Sequence, residues 1–210
     1  MKGDKLLLHG RYKERAIDNV RKILPFVKNK IKAVVAIGGI SGTLKSETTF
    51  YLQELLLLEN NVKSFAISAD DYYLIPHYER NENREQTGII GPEEVDFDYI
   101  NKIIYNFRTE ESLRDIKEVN RFTDKCDKYK IIDITGVHVL IIEGLYSLKC
   151  LVDFRAYLEG SILGTKEFRK ERGKEILTDF RKHVLKVEAE EVEKTKHLAD
   201  IILGEKNDRS

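Results

Sequence analysis

A glycine-rich stretch between an apolar run and a helix-like run constrains this chain more than any other feature. Residues Gly39–Ser46 read GISGTLKS, directly after the apolar run Ala33–Ile37 and at the start of the helical pattern Ser46–Leu58. Strand, tight turn and helix in that order are the layout of a P-loop, whose pattern is G-x-x-x-x-G-K-[ST]. The chain matches this pattern except at the second glycine, where Leu44 stands. The sequence therefore predicts a phosphate-binding turn and makes Leu44 its critical residue.

The chemistry of such a turn assigns a role to several side chains. In a P-loop, successive backbone N–H groups wrap phosphate groups at the N-terminus of the following helix. Gly39 and Gly42 would allow the sharp path, Lys45 would reach the β- and γ-phosphates of a nucleotide, and the Ser46 hydroxyl would bind Mg²⁺. A leucine held at positive φ would cost roughly 1–3 kcal/mol of backbone strain. The alternative is an ordinary glycine-rich turn with a solvated lysine.

Composition narrows the class of protein. The chain has 210 residues, enough for one sizeable core, and 36 basic side chains against 36 acidic ones, so its formal net charge is zero. That balance argues against electrostatic binding of nucleic acid or of an anionic membrane over a broad surface. Two cysteines fit a reducing compartment better than a disulfide scaffold, and five histidines show no metal-ligand spacing with them. No apolar run is long enough to cross a bilayer, so we expect a cytoplasmic protein.

Periodicity along the chain predicts an α/β fold. Residues 11–31 form an amphipathic helical pattern that Pro25 should break or kink. Further along, strand-like runs alternate with helical patterns, which favours a mainly parallel sheet flanked by helices. Residues 72–92 are predicted to be a loop, and residues 116–134 a short hairpin. The strand-like runs lie at residues 33–38, 63–68, 137–142, 156–158 and 199–203, and the helical patterns at 46–59, 93–107 and 166–196.

Acidic residues follow two of the predicted strands. Asp70 and Asp71 come directly after the second strand, and Glu143 ends the apolar run Leu140–Ile142. Ligands of parallel α/β sheets bind at the carboxyl ends of the strands, so these acids are expected near the P-loop. Asp70 could orient or deprotonate an attacking hydroxyl, and Glu143 is placed like a Walker-B carboxylate that approaches the metal. The alternatives are a solvated turn or a helix cap for the aspartates, and a turn at the strand end for Glu143.

These segments together resemble the uridine kinase/phosphoribulokinase family of P-loop kinases. The likeness runs from about Lys32 to Asn207 and is carried, in the family's order, by residues 34–49, 67–73, 91–98, 140–145, 171–174 and 195–202. It implies an α/β, three-layer P-loop NTPase fold with a mainly parallel five-stranded sheet and a helical lid. Residues 1–31 would then be an N-terminal helical extension, and residues 32–210 the P-loop kinase domain.

The resemblance also implies a reaction. ATP, with Mg²⁺, would give its γ-phosphoryl group to a hydroxyl of a small molecule, either a nucleoside such as uridine or a sugar-like acceptor. Asp70 matches the family's catalytic carboxylate, Lys45 and the lid residue Arg172 would act on the phosphates, and Ser46, Asp70 and Glu143 would hold the metal. The residues implied to contact the nucleotide are Gly39, Ser41, Gly42, Thr43, Leu44, Lys45, Ser46, Glu47, Arg169 and Lys174.

The chain departs from the family pattern on the acceptor side. The stretch 162–166 reads ILGTK where the family's lid begins with an arginine-rich run, and the stretch 120–125 keeps a single phenylalanine of the nucleoside-binding segment. The residues predicted to hold the acceptor are Tyr73, His77, Arg80, Arg84 and Phe122. The alternative for these residues is a solvated surface loop. The alternative for the lid residues is a solvated helix face.

Two other functions therefore stay open. A degenerate P-loop protein would bind nucleotide or a partner without catalysis, and a nucleotide-switched NTPase is a weaker rival. The expected partner is the small-molecule acceptor, and a homo-oligomer is left open.

Overall fold

Strands and helices alternate along the chain. The computed structural model describes residues 5–120, 126–173 and 178–204, except for the side chains of residues 127–130. Within these ranges the strands are β1 Ala33–Gly38, β2 Lys63–Ser68, β3 Ser112–Val119, β4 Cys126–Asp133, β5 Val137–Glu143, β6 Phe154–Leu158 and β7 Ile201–Leu203. The α-helices are α1 Gly10–Val27, α2 Lys45–Asn60, α3 His77–Thr87, α4 Phe97–Thr109, α5 Lys166–Glu171 and α6 Asp179–Glu193.

Five of these strands form one parallel sheet in the order β2-β5-β1-β6-β7. The predicted fold class is therefore confirmed. Ile37 at the end of β1 and Ser68 at the end of β2 both lie opposite Glu143 at the end of β5. Because the strands run in the same direction, the turns that follow β1, β2 and β5 meet at one edge of the sheet. The candidate functional site lies at that edge.

The sheet is buried on both faces. Every residue of β1 is buried, as expected for a central parallel strand whose sequence is an unbroken apolar run. Val34 and Ala36 belong to a core with the apolar residues of α4, whereas Val35 and Ile37 belong to a core with α1 and α2. The alternation of side chains along each strand thus separates two helical layers and gives the three-layer architecture.

Helix α1 follows the predicted amphipathic pattern. The side chains of Val20, Ile23 and Leu24 are buried in the core shared with α2, and Ala16 is buried as well. Pro25 lies inside the helix and does not end it, and the helix ends at Val27, four residues before the predicted limit at residue 31. The division into an extension and a kinase domain stays a prediction.

The predicted hairpin is present as the antiparallel pair β3–β4. It is tied to the end of β2, because Tyr72 Oη accepts a hydrogen bond from Lys117 N at 3.2 Å and Asp71 Oδ1 accepts one from Val119 N at 3.2 Å. The hairpin therefore lies at one side of the sheet edge where the turns after β1, β2 and β5 meet.

The prediction of a loop at 72–92 is wrong, because residues His77–Thr87 form helix α3. Pro76 precedes the helix, and Gly88 ends it in the left-handed conformation at φ 69°. The helix has no apolar stripe, and Arg84 is its buried residue, so hydrophobic periodicity could not reveal it.

Among the described residues, no helix has both the length and the apolar character that crossing a bilayer requires.

Candidate active site

The turn after β1 has the geometry of a phosphate-binding loop. Gly39 and Gly42 adopt φ angles of 141° and 91°. A Cβ atom at Gly39 would lie 2.4 Å from the carbonyl oxygen of Leu158, and one at Gly42 would lie 2.8 Å from Cβ of Thr165. Both positions therefore require glycine, for backbone conformation and for space. The Thr43 hydroxyl donates to Ile40 O at 2.9 Å and closes the turn.

Leu44 adopts the backbone conformation that the missing glycine would supply. Its φ and ψ are 66° and 25°, immediately before the first residue of α2. Its side chain is 2% exposed and belongs to a small apolar cluster with Leu7, Tyr12 and Phe168. The leucine thus keeps the path of the loop, and its side chain is buried away from the phosphate-binding face.

Lys45 and Ser46 begin helix α2 at the bottom of the loop. Lys45 Nζ donates to the carbonyl oxygens of Gly39 and Ile40, both at 2.9 Å. The Ser46 hydroxyl donates to Glu143 Oε2 at 3.4 Å. The lysine ammonium therefore stabilises the loop backbone from within the turn, and the serine is joined to the carboxylate at the end of β5.

One cavity of about 260 Å³ collects most of the predicted site residues. Side chains from the P-loop, from the ends of β2 and β5, from α3 and from the lid region all line it. The predicted residues on its wall are Ser41, Gly42, Lys45, Ser46, Asp70, Tyr73, His77, Arg80, Arg84, Glu143 and Arg172. The fold therefore brings together groups that are spread over more than 130 positions of the sequence.

The oxygen atoms at this edge suit a magnesium ion. The Ser46 hydroxyl and the carboxylates of Asp70 and Glu143 border the cavity, and Mg²⁺ prefers such hard oxygen ligands. Within the described ranges, no three His, Cys, Asp or Glu side chains are grouped as a metal site on their own. A magnesium ion here would therefore be bound together with phosphate oxygens and water, as is usual at P-loops.

The two neighbouring aspartates face different spaces. Asp70 is half-buried and lines the cavity with Lys45, whereas Asp71 is buried and lines a second cavity of about 560 Å³ beneath the hairpin. Burial raises the pKa of Asp71 to about 7, although the hydrogen bond from Val119 N favours its charged form. Asp70 is therefore the aspartate that can reach a group bound next to Lys45.

Helix α3 contributes two arginines with different surroundings. The Arg84 guanidinium is 4% exposed and donates to both carboxylate oxygens of Glu94, at 2.7 and 2.8 Å, and lies 3.0 Å from Glu188. Arg80 is stacked on the ring of Tyr73 at 3.5 Å, and its hydrogen bonds within the described residues go to Ile75 O, at 3.4 Å from two of its nitrogens. Burial lowers the pKa of Arg80. Arg84 therefore holds α3 in place, and Arg80 is the better placed of the two to meet a ligand.

The lid helix α5 packs directly on the P-loop. Arg169 is 3% exposed and donates to the hydroxyl of Thr165 and to Ile162 O, the latter at 2.9 Å. Arg169 was predicted to contact the nucleotide. In the structure its side chain lies next to Gly42 and has a structural role there. Arg172 lines the cavity. Lys174 and Phe122 lie outside the described residues.

Glu47 occupies a different place from its predicted one. Its side chain is fully buried beneath the N-terminal segment, where its Oε1 accepts from Leu7 N at 3.2 Å and lies 3.9 Å from Arg172 Nε. Burial raises the pKa of Glu47, and the nearby Arg172 opposes that rise. A direct contact of this side chain with a nucleotide would require the segment above it to move.

Sequence reasoning missed four residues of the cavity wall, which are Asn81, Leu145, Arg181 and Glu188. Arg181 and Glu188 lie on α6 and line the cavity, where Arg181 Nη1 is 3.4 Å from Glu188 Oε2. The stretch 166–196 is charged throughout, so these two residues have no distinguishing sequence signal.

Comparison with known proteins identifies the fold. No protein-family model matches the sequence, and no curated protein sequence does. Among solved structures, a protein from Silicibacter sp. TM1040 proposed to be a fructose transport system kinase is 16% identical, with a TM-score of 0.66 over 89% of this chain and 98% of that one. A proposed uridine kinase from Bacillus stearothermophilus is 18% identical, with a TM-score of 0.57 over 92% and 100%.

Phosphoribulokinase from Rhodobacter spheroides is also similar, with 12% identity and a TM-score of 0.61 over 82% of this chain and 69% of that one. Identities this low establish the fold alone. The chain has the P-loop kinase fold that uridine kinase and phosphoribulokinase structures share, and the likeness that its sequence motifs predicted is confirmed at that level.

Proposed function

We propose that this protein is an ATP-dependent phosphotransferase that moves the γ-phosphoryl group to a hydroxyl of a small molecule. The observation that carries the proposal is the shared cavity, in which Lys45 of the P-loop, Asp70 after β2 and Arg172 beside the lid meet. A lysine next to a glycine cradle, a carboxylate and a second cation are the parts that phosphoryl transfer requires.

In the proposed reaction, the acceptor hydroxyl attacks the γ-phosphorus in line with the departing ADP. The new O–P bond forms as the bond from the γ-phosphorus to the bridging oxygen breaks, and Asp70 accepts the proton of the hydroxyl. Lys45 and Arg172 stabilise the charge on the transferring group. Ser46, Asp70 and Glu143 would hold Mg²⁺, which neutralises phosphate charge when bound.

Arg80 favours an acceptor with an anionic group. The proposal covers both nucleosides and sugar-like acceptors. The half-buried guanidinium of Arg80 is stacked on Tyr73 and donates to a backbone carbonyl, so it gains most from a carboxylate or phosphate. Within the described residues no carboxylate lies within 4.0 Å of Arg80, whereas Arg84 already has two. A phosphorylated sugar is therefore the acceptor that we favour.

The rival is a degenerate P-loop protein that binds nucleotide or a partner without catalysis. It is favoured by the two hydrogen bonds that turn the Lys45 ammonium toward its own loop. The rival and the kinase differ in turnover rather than in nucleotide binding.

The test is calorimetry with Mg-ATP, followed by a phosphorylation screen over nucleosides, sugars, phosphosugars and vitamins. We expect Mg-ATP binding and turnover of at least one acceptor, with turnover lost in Lys45→Ala. No binding at millimolar Mg-ATP would refute the kinase, binding without turnover would favour the rival, and turnover that persists in Lys45→Ala would refute the assignment of the lysine.

A further inference from the structure

The segment ahead of α1 lies directly over the start of helix α2. Leu7 N donates to Glu47 Oε1 at 3.2 Å, and the carbonyl oxygen of Lys5 accepts a hydrogen bond from Arg172 Nε at 2.8 Å. Leu7 is 1% exposed, so its buried side chain anchors the segment. One short piece of backbone therefore touches both the P-loop helix and the arginine that lines the cavity.

Glu47 and Arg172 form the charged part of this contact. Glu47 Oε1 lies 3.9 Å from Arg172 Nε, and both side chains are almost completely buried. Glu47 Oε2 has no hydrogen-bond partner within the described residues. A buried carboxylate that is incompletely bonded costs stability, so its position is explained best by what it does to the neighbouring guanidinium.

An apolar cluster fixes the same segment to the lid helix. Leu7, Tyr12, Leu44 and Phe168 are packed together, with the rings of Tyr12 and Phe168 5.1 Å apart in an edge-to-face arrangement. Beside it, Tyr12 Oη donates to Glu171 Oε1 at 2.7 Å, one residue before Arg172. The residue that stands in place of the P-loop glycine thus anchors the N-terminal segment and α5 on the loop.

We propose that Lys5–Tyr12 is a positioning element of the phosphoryl-transfer site, and that Glu47 is the positioning residue through which it sets the orientation of Arg172. In this arrangement Lys5 O and Glu47 both lie at Nε of the guanidinium, and Arg172 lines the cavity that Lys45 and Asp70 also line. Neither the segment nor Glu47 touches the reacting groups. This inference rests on the proposed function.

The test is a double-mutant cycle in the full chain, with Mg-ATP affinity as the first measurement. Glu47→Gln keeps the shape and the acceptor for Leu7 N but removes the charge that faces Arg172. We expect it to weaken Mg-ATP binding by about tenfold, the value of one charge-assisted interaction, without loss of unfolding stability. In an Arg172→Gln background the same change should have no further effect, because its target is gone.

The matched control is Glu59→Gln on the same helix. Glu59 is exposed and paired with Arg21 of α1 at 2.5 Å, so it also joins α2 to the N-terminal region but lies far along the helix from Arg172. We expect it to leave Mg-ATP affinity unchanged. Additive effects of Glu47→Gln and Arg172→Gln, or an unchanged affinity in Glu47→Gln, would overturn the proposal.

A second measurement decides the inference independently of nucleotide binding. Leu7→Ala should loosen the segment and raise amide hydrogen exchange in Lys166–Glu171 by about tenfold, while the protein stays folded by circular dichroism. Glu59→Gln should not. If wild-type protein fails to bind Mg-ATP, the proposed function fails, and the exchange result still reports whether the segment holds the lid. Unchanged exchange in Leu7→Ala would overturn the inference.

Discussion

Leu44 of the P-loop and Phe168 of the lid helix lie in one buried apolar cluster, at 2% and 4% exposure. Leu44 meets the backbone demand of its position, at φ 66°, and at the same time buries a large side chain there. The strain of the left-handed conformation and the gain from burial are therefore located at the same residue, and substitution can separate them.

Leu44→Gly and Leu44→Ala should both destabilise the protein, but glycine less than alanine. Loss of a buried leucine side chain costs about 2–5 kcal/mol. Alanine keeps the left-handed backbone penalty of about 1–2 kcal/mol, whereas glycine removes it. Urea unfolding of the three proteins measures the difference. Equal stability of the two variants would show that the conformation at residue 44 is unstrained.

The same substitution at the neighbouring residues Asp70 and Asp71 tests which aspartate is catalytic. Asp70→Asn should lower kcat by about 10²–10⁴-fold, because it removes the proposed proton acceptor. Asp71→Asn retains an oxygen for Val119 N and faces the other cavity, so kcat should change little. Steady-state kinetics with the acceptor from the screen measures both. A larger loss in the Asp71 variant would reverse the assignment.

The parallel sheet could be predicted because its central strands are buried on both faces. Strands such as Ala33–Gly38 then appear as continuous apolar runs, and the acids at their ends are brought to one edge by the topology alone. Asp70, Glu143 and the P-loop could be placed together before any distance was known, because that placement follows from strand direction.

Two parts of the site had no such signal. Helix α3 is held by the ion pairs of Arg84 rather than by an apolar stripe, so its residues look like a polar loop. The docking of the N-terminal segment depends on residues far apart in sequence, such as Leu7 and Phe168. The leucine at position 44 is a sign of that docking in the sequence. It could be interpreted only once the packing around it was known.

Arg84→Met should destabilise the fold more than it alters the chemistry. Removing one partner of a buried ion pair costs about 3–5 kcal/mol, because the buried Glu94 would lose its guanidinium and Glu188 would keep only its longer contact with Arg181 among the described residues. Arg21→Met, which breaks an exposed pair with Glu59, should have a much smaller effect. Chemical denaturation measures both changes. A loss of stability no larger than in the Arg21 variant would show that the buried network does not hold α3.

The two cysteines should differ sharply in reactivity. Cys126 is exposed, whereas Cys150 is buried and its burial raises the pKa of the thiol to about 12. The thiolate is the reactive form, so at pH 8 only about one Cys150 thiol in 10⁴ would be ionised even if reagent reached it. A thiol–disulfide reagent should therefore modify one thiol in the folded protein and two after unfolding. In Cys126→Ser the folded protein should not react, and a fast reaction there would place Cys150 outside the core.

Arg80 should decide which acceptors are used. A charge-assisted contact with an anionic acceptor is worth about 1.5–3 kcal/mol, so Arg80→Gln should raise KM for a phosphorylated or carboxylated acceptor by about 10- to 100-fold. The same variant should leave KM for a neutral analogue and the affinity for Mg-ATP nearly unchanged, because the P-loop residues are intact. Pairs such as ribose and ribose 5-phosphate, assayed with both proteins, separate this charge effect from a general loss of structure. If the substitution affected both members of a pair equally, Arg80 would be a structural residue of α3, and the preference for an anionic acceptor would have no basis.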